Sequence, residues 1–184
     1  VPVASEPADV FWDDRFGRPG VNPGDVSALA VDSSGKLYVG GNFTEAGGNP
    51  AGRIAFWDGR DWQPLGEGLN GPVLAILIAA DGSIYAGGSF TQAGGNPANR
   101  IAKWQDGQWS ALGSGVAGTD DPLVQALAQD AAGNIYAGGS FTSAGGAAAG
   151  FIAKWDGNSW SALAGGRKEK VRSLAVDNSG GLYA

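Results

Sequence analysis

The chain has no cysteine and no histidine in its 184 residues. Without cysteine it has no disulfide framework, thiolate nucleophile or Cys-ligated zinc. Without histidine it lacks the commonest general base and the commonest transition-metal ligand, and a Ser-His-Asp triad is excluded. Charge is sparse as well: twelve Lys plus Arg stand against eighteen Asp plus Glu, a net −6. The basic residues are scattered, so nothing resembles the stripe that neutralises a phosphate backbone or an anionic lipid surface. Nucleic acid is therefore not an expected partner, and the acidic balance reads as a soluble surface. The longest apolar run, "VLAILIAA" at Val73 to Ala80, is far shorter than the roughly 20 residues that cross a bilayer, so no membrane insertion is expected. No segment keeps apolar residues at helical spacing over three turns. The opening "VPVASEPADV" lacks a charged segment followed by an apolar one, and a signal peptide is expected to be absent or already removed.

What the chain has in abundance is glycine, 33 residues of it, arranged in a repeat. "LYVGGNFTEAGGNPAGRIAFW" from Leu37 returns as "IYAGGSFTQAGGNPANRIAKW" from Ile84 and "IYAGGSFTSAGGAAAGFIAKW" from Ile135. Tyr38, Tyr85, Tyr136 and Tyr183 mark equivalent points at steps of 47, 51 and 47 residues. The pairs Trp57/Trp62, Trp104/Trp109 and Trp155/Trp160 keep the same step, and the longer interval falls in the loop "GSGVAGTDDP". A fixed period of this length points to repeated structural units.

Each unit holds four short apolar runs separated by turn residues. "VSALAVD", "VLAILIA", "VQALAQD" and "VRSLAVD" are apolar on both faces, as for strands buried on both sides. A turn such as "DSSG" joins this run to the next, "KLYVGG" or its match, in a hairpin. "RIAFWD" and "WQPLG" or their matches supply the third and fourth. Four antiparallel strands per repeat of roughly 40–50 residues is the pattern of a β-propeller blade. The expected fold is all-β: a propeller of four-stranded antiparallel blades, with three complete repeats at about 26–66, 73–113 and 124–164 and a split fourth. The split blade would join residues 171–184 to residues 10–17, where Trp12 aligns with Trp62. The first run of each unit would line the ring axis, which suits the small residues Ala28, Ala75, Ala126 and Ser173. The partial fourth unit leaves two expectations: the chain is part of a longer propeller, or two copies complete each other's split blades.

The consensus "LYVGGxFTxAGGxxxxRIAxWDGxxWxxLGxG" resembles tandem propeller repeats of large bacterial secreted or surface proteins. The "VDSSGKLYV" hairpin is similar to NHL-type blades, and kelch propellers are more distant relatives. The resemblance spans Val26 to Ala184, and it implies an extracellular or cell-surface setting without implying a ligand.

Several motifs weigh toward scaffold. The "AGG" after Phe43, Phe90 and Phe141 lacks the following helix and the Lys of a phosphate loop, so it reads as a β-bulge and wide turn. Asp32, Asp130 and Asp177 suit Asx turns, since one carboxylate falls well short of a calcium site. The tryptophans are expected to fill the gaps between blades. Arg53 and Arg100, replaced by Phe151 in the third unit, read as structural ion pairs. Function is expected where the units differ, on the loops that enter each first strand and at its second position, Ser27, Leu74, Gln125 or Arg172. The candidate ligand-binding face is Asp25, Glu67, Asp120, Asp121, Gln125, Lys168, Glu169 and Arg172. The leading expectation is a non-catalytic binding module for a glycan or a protein, with no cofactor and no metal. The enzyme alternative is a glycoside hydrolase pairing Asp120 or Asp121 with Glu67 or Glu169. A purely structural assembly unit is the third.

Overall fold

The computed structural model describes residues 20–163 and 169–184. Among them every regular element is a strand. Three four-stranded antiparallel sheets follow one another along the chain, each a simple meander. Blade I comprises Val26–Val31, Leu37–Gly41, Ile54–Trp57 and Trp62–Pro64, and blade II Val73–Ile78, Ile84–Gly88, Ile101–Gln105 and Gln108–Ala111. Blade III comprises Val124–Gln129, Ile135–Gly139, Ile152–Trp155 and Trp160–Ala162. In the fourth unit Ala175–Val176 pairs with Leu182–Tyr183. The expected contribution of residues 10–17 to that unit, like Lys168, lies outside the described residues.

Hairpin chemistry fixes each blade locally. The Asp32 carboxylate accepts hydrogen bonds from the amides of Ser34 (2.8 Å) and Lys36 (3.0 Å) and from the Tyr38 hydroxyl (3.3 Å). Asp130 does the same for Ala132, Asn134 and Tyr136, and Asp177 for Ser179, Gly181 and Tyr183. These are the Asx turns that the sequence pattern predicts. Blade II has Ala79 at this position, and there the amide of Ala80 donates to the Gln129 side chain of blade III at 2.9 Å.

The core lies in the seams between blades, whose innermost strands face one another. Phe43, Phe90 and Phe141 are completely buried. The tryptophans also belong to the seams. The indole Nε1 of Trp109 donates to the carbonyl of Leu65 in the preceding blade at 2.8 Å, and that of Trp160 to Leu112 at 2.7 Å. A bare glycine is required beneath Trp104, because a Cβ on Gly66 would come within 2.9 Å of its ring.

Three local readings need correction. The "AGG" segment is a tight hairpin rather than a bulged wide turn: Glu45–Ala46 pairs with Asn49–Pro50 around Gly47 and Gly48, both at positive φ, where a side chain is strained. The incoming linker Val21–Asn22 adds a third strand to this hairpin, and Val116–Ala117 does so in blade III. Backbone pairing of the linker was invisible as an apolar pattern because two-residue strands have no period. The β-bulge lies instead in the innermost strand. Finally, Arg53 and Arg100 hold carbonyls rather than carboxylates: Arg53 Nη1 donates to Leu69 O at 3.1 Å and Arg100 Nε to Pro122 O at 3.2 Å. They tie the second-to-third strand connection to the next linker. Both have left-handed backbones, as does Phe151 in their place.

Candidate functional site

The register of the innermost strand decides where its side chains point. Val26 pairs with Gly41 and Ala28 with Gly40, so Ser27 is an extra, unpaired residue, and the same shift occurs at Leu74 and Gln125. A bulge of this kind re-aims the inserted side chain. Without the extra residue the strand would alternate normally. With it, the first, fourth and sixth positions share one face and the third and fifth the other.

The bulged residues converge on the axis. The second, third and fourth positions of all four innermost segments line one open groove of about 310 Å³. Ala28, Ala75, Ala126 and Ser173 form small walls, while Ser27, Leu74, Gln125 and Arg172 contribute four different side chains. Ser27 and Arg172 are exposed, and Leu74 and Gln125 are half-buried. Arg172 brings a planar guanidinium with five donors, Gln125 both donors and an acceptor, and Ser27 a hydroxyl. No carboxylate lines the groove. Such a set can orient a polar or anionic group over an apolar floor, and it offers no acid–base pair.

The remaining candidates are dispersed. Asp25 is exposed and directly precedes the first innermost strand, its carbonyl accepting from the Asn42 amide at 2.9 Å. Asp120 and Asp121 are exposed at the head of the third, where Thr119 Oγ1 donates to the Asp120 carboxylate at 3.4 Å and Ser140 Oγ to the Asp121 carbonyl at 3.0 Å. Glu169 is exposed shortly before the fourth segment. Glu67 is separate: it lines a second recess of about 380 Å³ along the outermost strand of blade II, with Trp104 and Trp109. Of the predicted face, the groove thus joins Gln125 and Arg172. Ser27 and Leu74 complete it, and the signal for them was their variation at one fixed place in an otherwise repetitive strand. Among the described residues, no group of three or more acidic side chains is placed to hold a metal ion.

Comparison with known proteins bears on fold and family. The extracellular domain of the component-system protein BT4673 from B. thetaiotaomicron superposes with a TM-score of 0.59 at 16% identity, over 90% of this chain and 20% of that one. A second structure of a BT4673 extracellular domain gives 0.58 at 16% identity, over 87% and 19%. Catalytically inactive virginiamycin B lyase from Staphylococcus aureus, solved with quinupristin, gives 0.52 at 13% identity, over 90% and 50%. The chain spans a fifth to a half of the length of these structures, and at such identities the likeness is one of fold. No curated protein matches the chain. The profile of the Rax2 C-terminal beta propeller domain matches residues 18–179, most of the sequence. An all-β chain of stacked four-stranded blades, matched over that length, belongs to the Rax2 C-terminal β-propeller domain family.

Proposed function

We propose that the chain is a ligand-binding propeller module of an extracellular or cell-surface protein, and that a protein or glycan ligand enters at the axial groove. One observation carries this reading: in three successive repeats a bulge turns the second residue of the innermost strand out of the ladder, and those residues line a common groove with Arg172. The scaffold around them is repetitive and the four side chains differ, which is the division of labour expected of a binding surface on a rigid frame. Its volume is at the lower end of small-ligand sites, enough for one sugar ring or one amino-acid side chain. An acidic side chain or uronic acid would complement Arg172 and Gln125, by charge-assisted hydrogen bonding to the guanidinium. The absence of a carboxylate from the groove lining favours binding over paired-carboxylate hydrolysis. Two BT4673 neighbours are extracellular domains, which supports the extracellular setting.

The test is a glycan array and an acidic-peptide array probed with the wild-type chain, Arg172→Ala and Gln125→Ala. The expected result is a ligand whose binding falls at least about tenfold in Arg172→Ala, with unchanged thermal stability; one charge-assisted hydrogen bond is worth this much. Ligands that bind all three proteins equally would place the interaction elsewhere.

A further inference from the structure

The recess of about 380 Å³ that holds Glu67 shares no residue with the axial groove. Its wall is aromatic. Trp104 is half-buried, its six-membered ring resting on Gly66 and its plane tilted 53° to that of Trp109 at 5.3 Å. Three exposed polar side chains surround this wall: Asn96 from the glycine hairpin, Gln108 from the outermost strand and Glu67 from the incoming linker. The Glu67 carboxylate reaches the hairpin, for a Cβ on Gly95 would lie 3.0 Å from its Oε2. The Trp109 indole is already bonded to Leu65 O. Among the described residues, the Trp104 indole Nε1, the Glu67 carboxylate and the Gln108 amide have no protein partner.

Blade III shows what packing alone requires. There Trp155 and Trp160 keep the same pairing at 5.5 Å and 51°, Gly113 lies under Trp155, and Trp160 Nε1 donates to Leu112 O. The polar residues at the matching positions are only Ser114 and Ser159, with Ala147 in place of Asn96. Glu67, Asn96 and Gln108 are therefore surplus to the seam. We propose that this recess binds a neutral saccharide, the C–H face of one pyranose ring against Trp104 and its hydroxyls bonded to Glu67, Gln108 and the Trp104 indole. A pyranose is apolar on its face and hydroxylated around its rim, which matches an aromatic wall beside unspent donors and acceptors. The volume suits a ligand of about one or two sugar rings. With one carboxylate and no cation in the lining, the recess disfavours an acidic sugar and lacks the second carboxyl of a glycosidase.

The chain holds seven tryptophans and none lines the axial groove, so the NMR signal of the Trp104 indole N–H reads this recess by itself. It is assigned by its loss in Trp104→Phe, or by nuclear Overhauser contacts in the wild type if that variant is unstable. Cellohexaose, laminarihexaose, maltohexaose and mannohexaose are each titrated into the whole chain. At least one is expected to shift the Trp104 signal saturably. Glu67→Ala and Gln108→Ala, both at exposed positions, should weaken that binding, the first at least about tenfold, as expected for a hydrogen bond to a charged group. Ser114→Glu, Ala147→Asn and Ser159→Gln together should make the Trp155 signal of blade III respond to the same sugar. No shift with any of the four sugars, or undiminished affinity in Glu67→Ala and Gln108→Ala, would overturn the proposal. So would a response to choline alone, which would make the recess a cation site.

Discussion

Asp32, Asp130 and Asp177 each satisfy a hairpin turn with one carboxylate, and this couples the fold to pH. Hydrogen bonds from the Ser34 hydroxyl, the turn amides and Tyr38 hold Asp32 below the usual carboxylate value. At Asp130 burial pushes upward, but hydrogen bonds from Asn134, Tyr136 and the turn amides prevail and the group is lowered. The Ser179 hydroxyl, the Gly181 amide and Tyr183 bring Asp177 to about 2. A carboxyl lowered in the folded state binds its proton more readily when unfolded, so its contribution is complete above the unfolded value of about 4 and is lost as pH falls toward the folded one. The urea midpoint should therefore be level from pH 7 to about pH 5 and decline between about pH 4 and pH 2. Asp130→Asn should flatten part of that decline; an unchanged acid limb would mean that the turn carboxylate does not matter. At the same scale, Trp109→Phe removes the indole donor from the Leu65 carbonyl, which keeps only the Gly68 amide at 3.1 Å, for an expected loss of about 1 kcal/mol in denaturant unfolding. The aspartates were legible because "D-x-x-G" is a local device. The roles of Arg53 and Arg100 were not, since their acceptors are backbone carbonyls sixteen and 22 residues away, which no residue type announces.

Within the innermost strand, neighbouring residues should answer to substitution in opposite ways. Val124 is fully buried against Gly87, whereas Gln125 is turned out of the ladder into the groove. Val124→Ala is expected to cost about 2 kcal/mol through lost burial and a cavity, and Gln125→Ala less than about 0.5 kcal/mol. The reverse variant, Gly87→Ala, forces a methyl into Val124 and should cost about 1–3 kcal/mol by overpacking. Equal losses for Val124→Ala and Gln125→Ala would contradict the bulged register. The four apolar runs of each blade could be read directly, because strands of three to six residues set between turn residues carry enough alternation and punctuation to be seen. The bulge could not be read, since the extra residue leaves composition and length of the run unchanged and shows only in pairing. The variable second position was visible as variation, but its convergence on the axis depends on that pairing.

Across the molecule, stability should follow neighbour count. Blade II has a blade packed on each face, whereas Val26, Leu29 and Val31 in the innermost strand of blade I are exposed, with no described blade beside them. In repeat architectures the inner units gain interface stabilisation that an open-faced unit lacks. Hydrogen exchange should accordingly be slower in Ile84–Gly88 than in Leu37–Gly41, which occupy the same central place in their sheets. Uniform protection would indicate that blade I is covered in solution. The repeat period and the fold were legible at this scale, because every unit states the same pattern. That Val26 is exposed where Val73 is buried was not, for the two stand in the same sequence pattern.

The bulged positions have one more consequence. Successive blades repeat one unit around the groove, so identical residues there would offer a ligand equivalent contacts at each step from blade to blade. Serine, leucine, glutamine and arginine instead make each step chemically distinct. A molecule seated over the groove would have a single preferred heading, and a scaffold made by copying would nonetheless read its ligand asymmetrically.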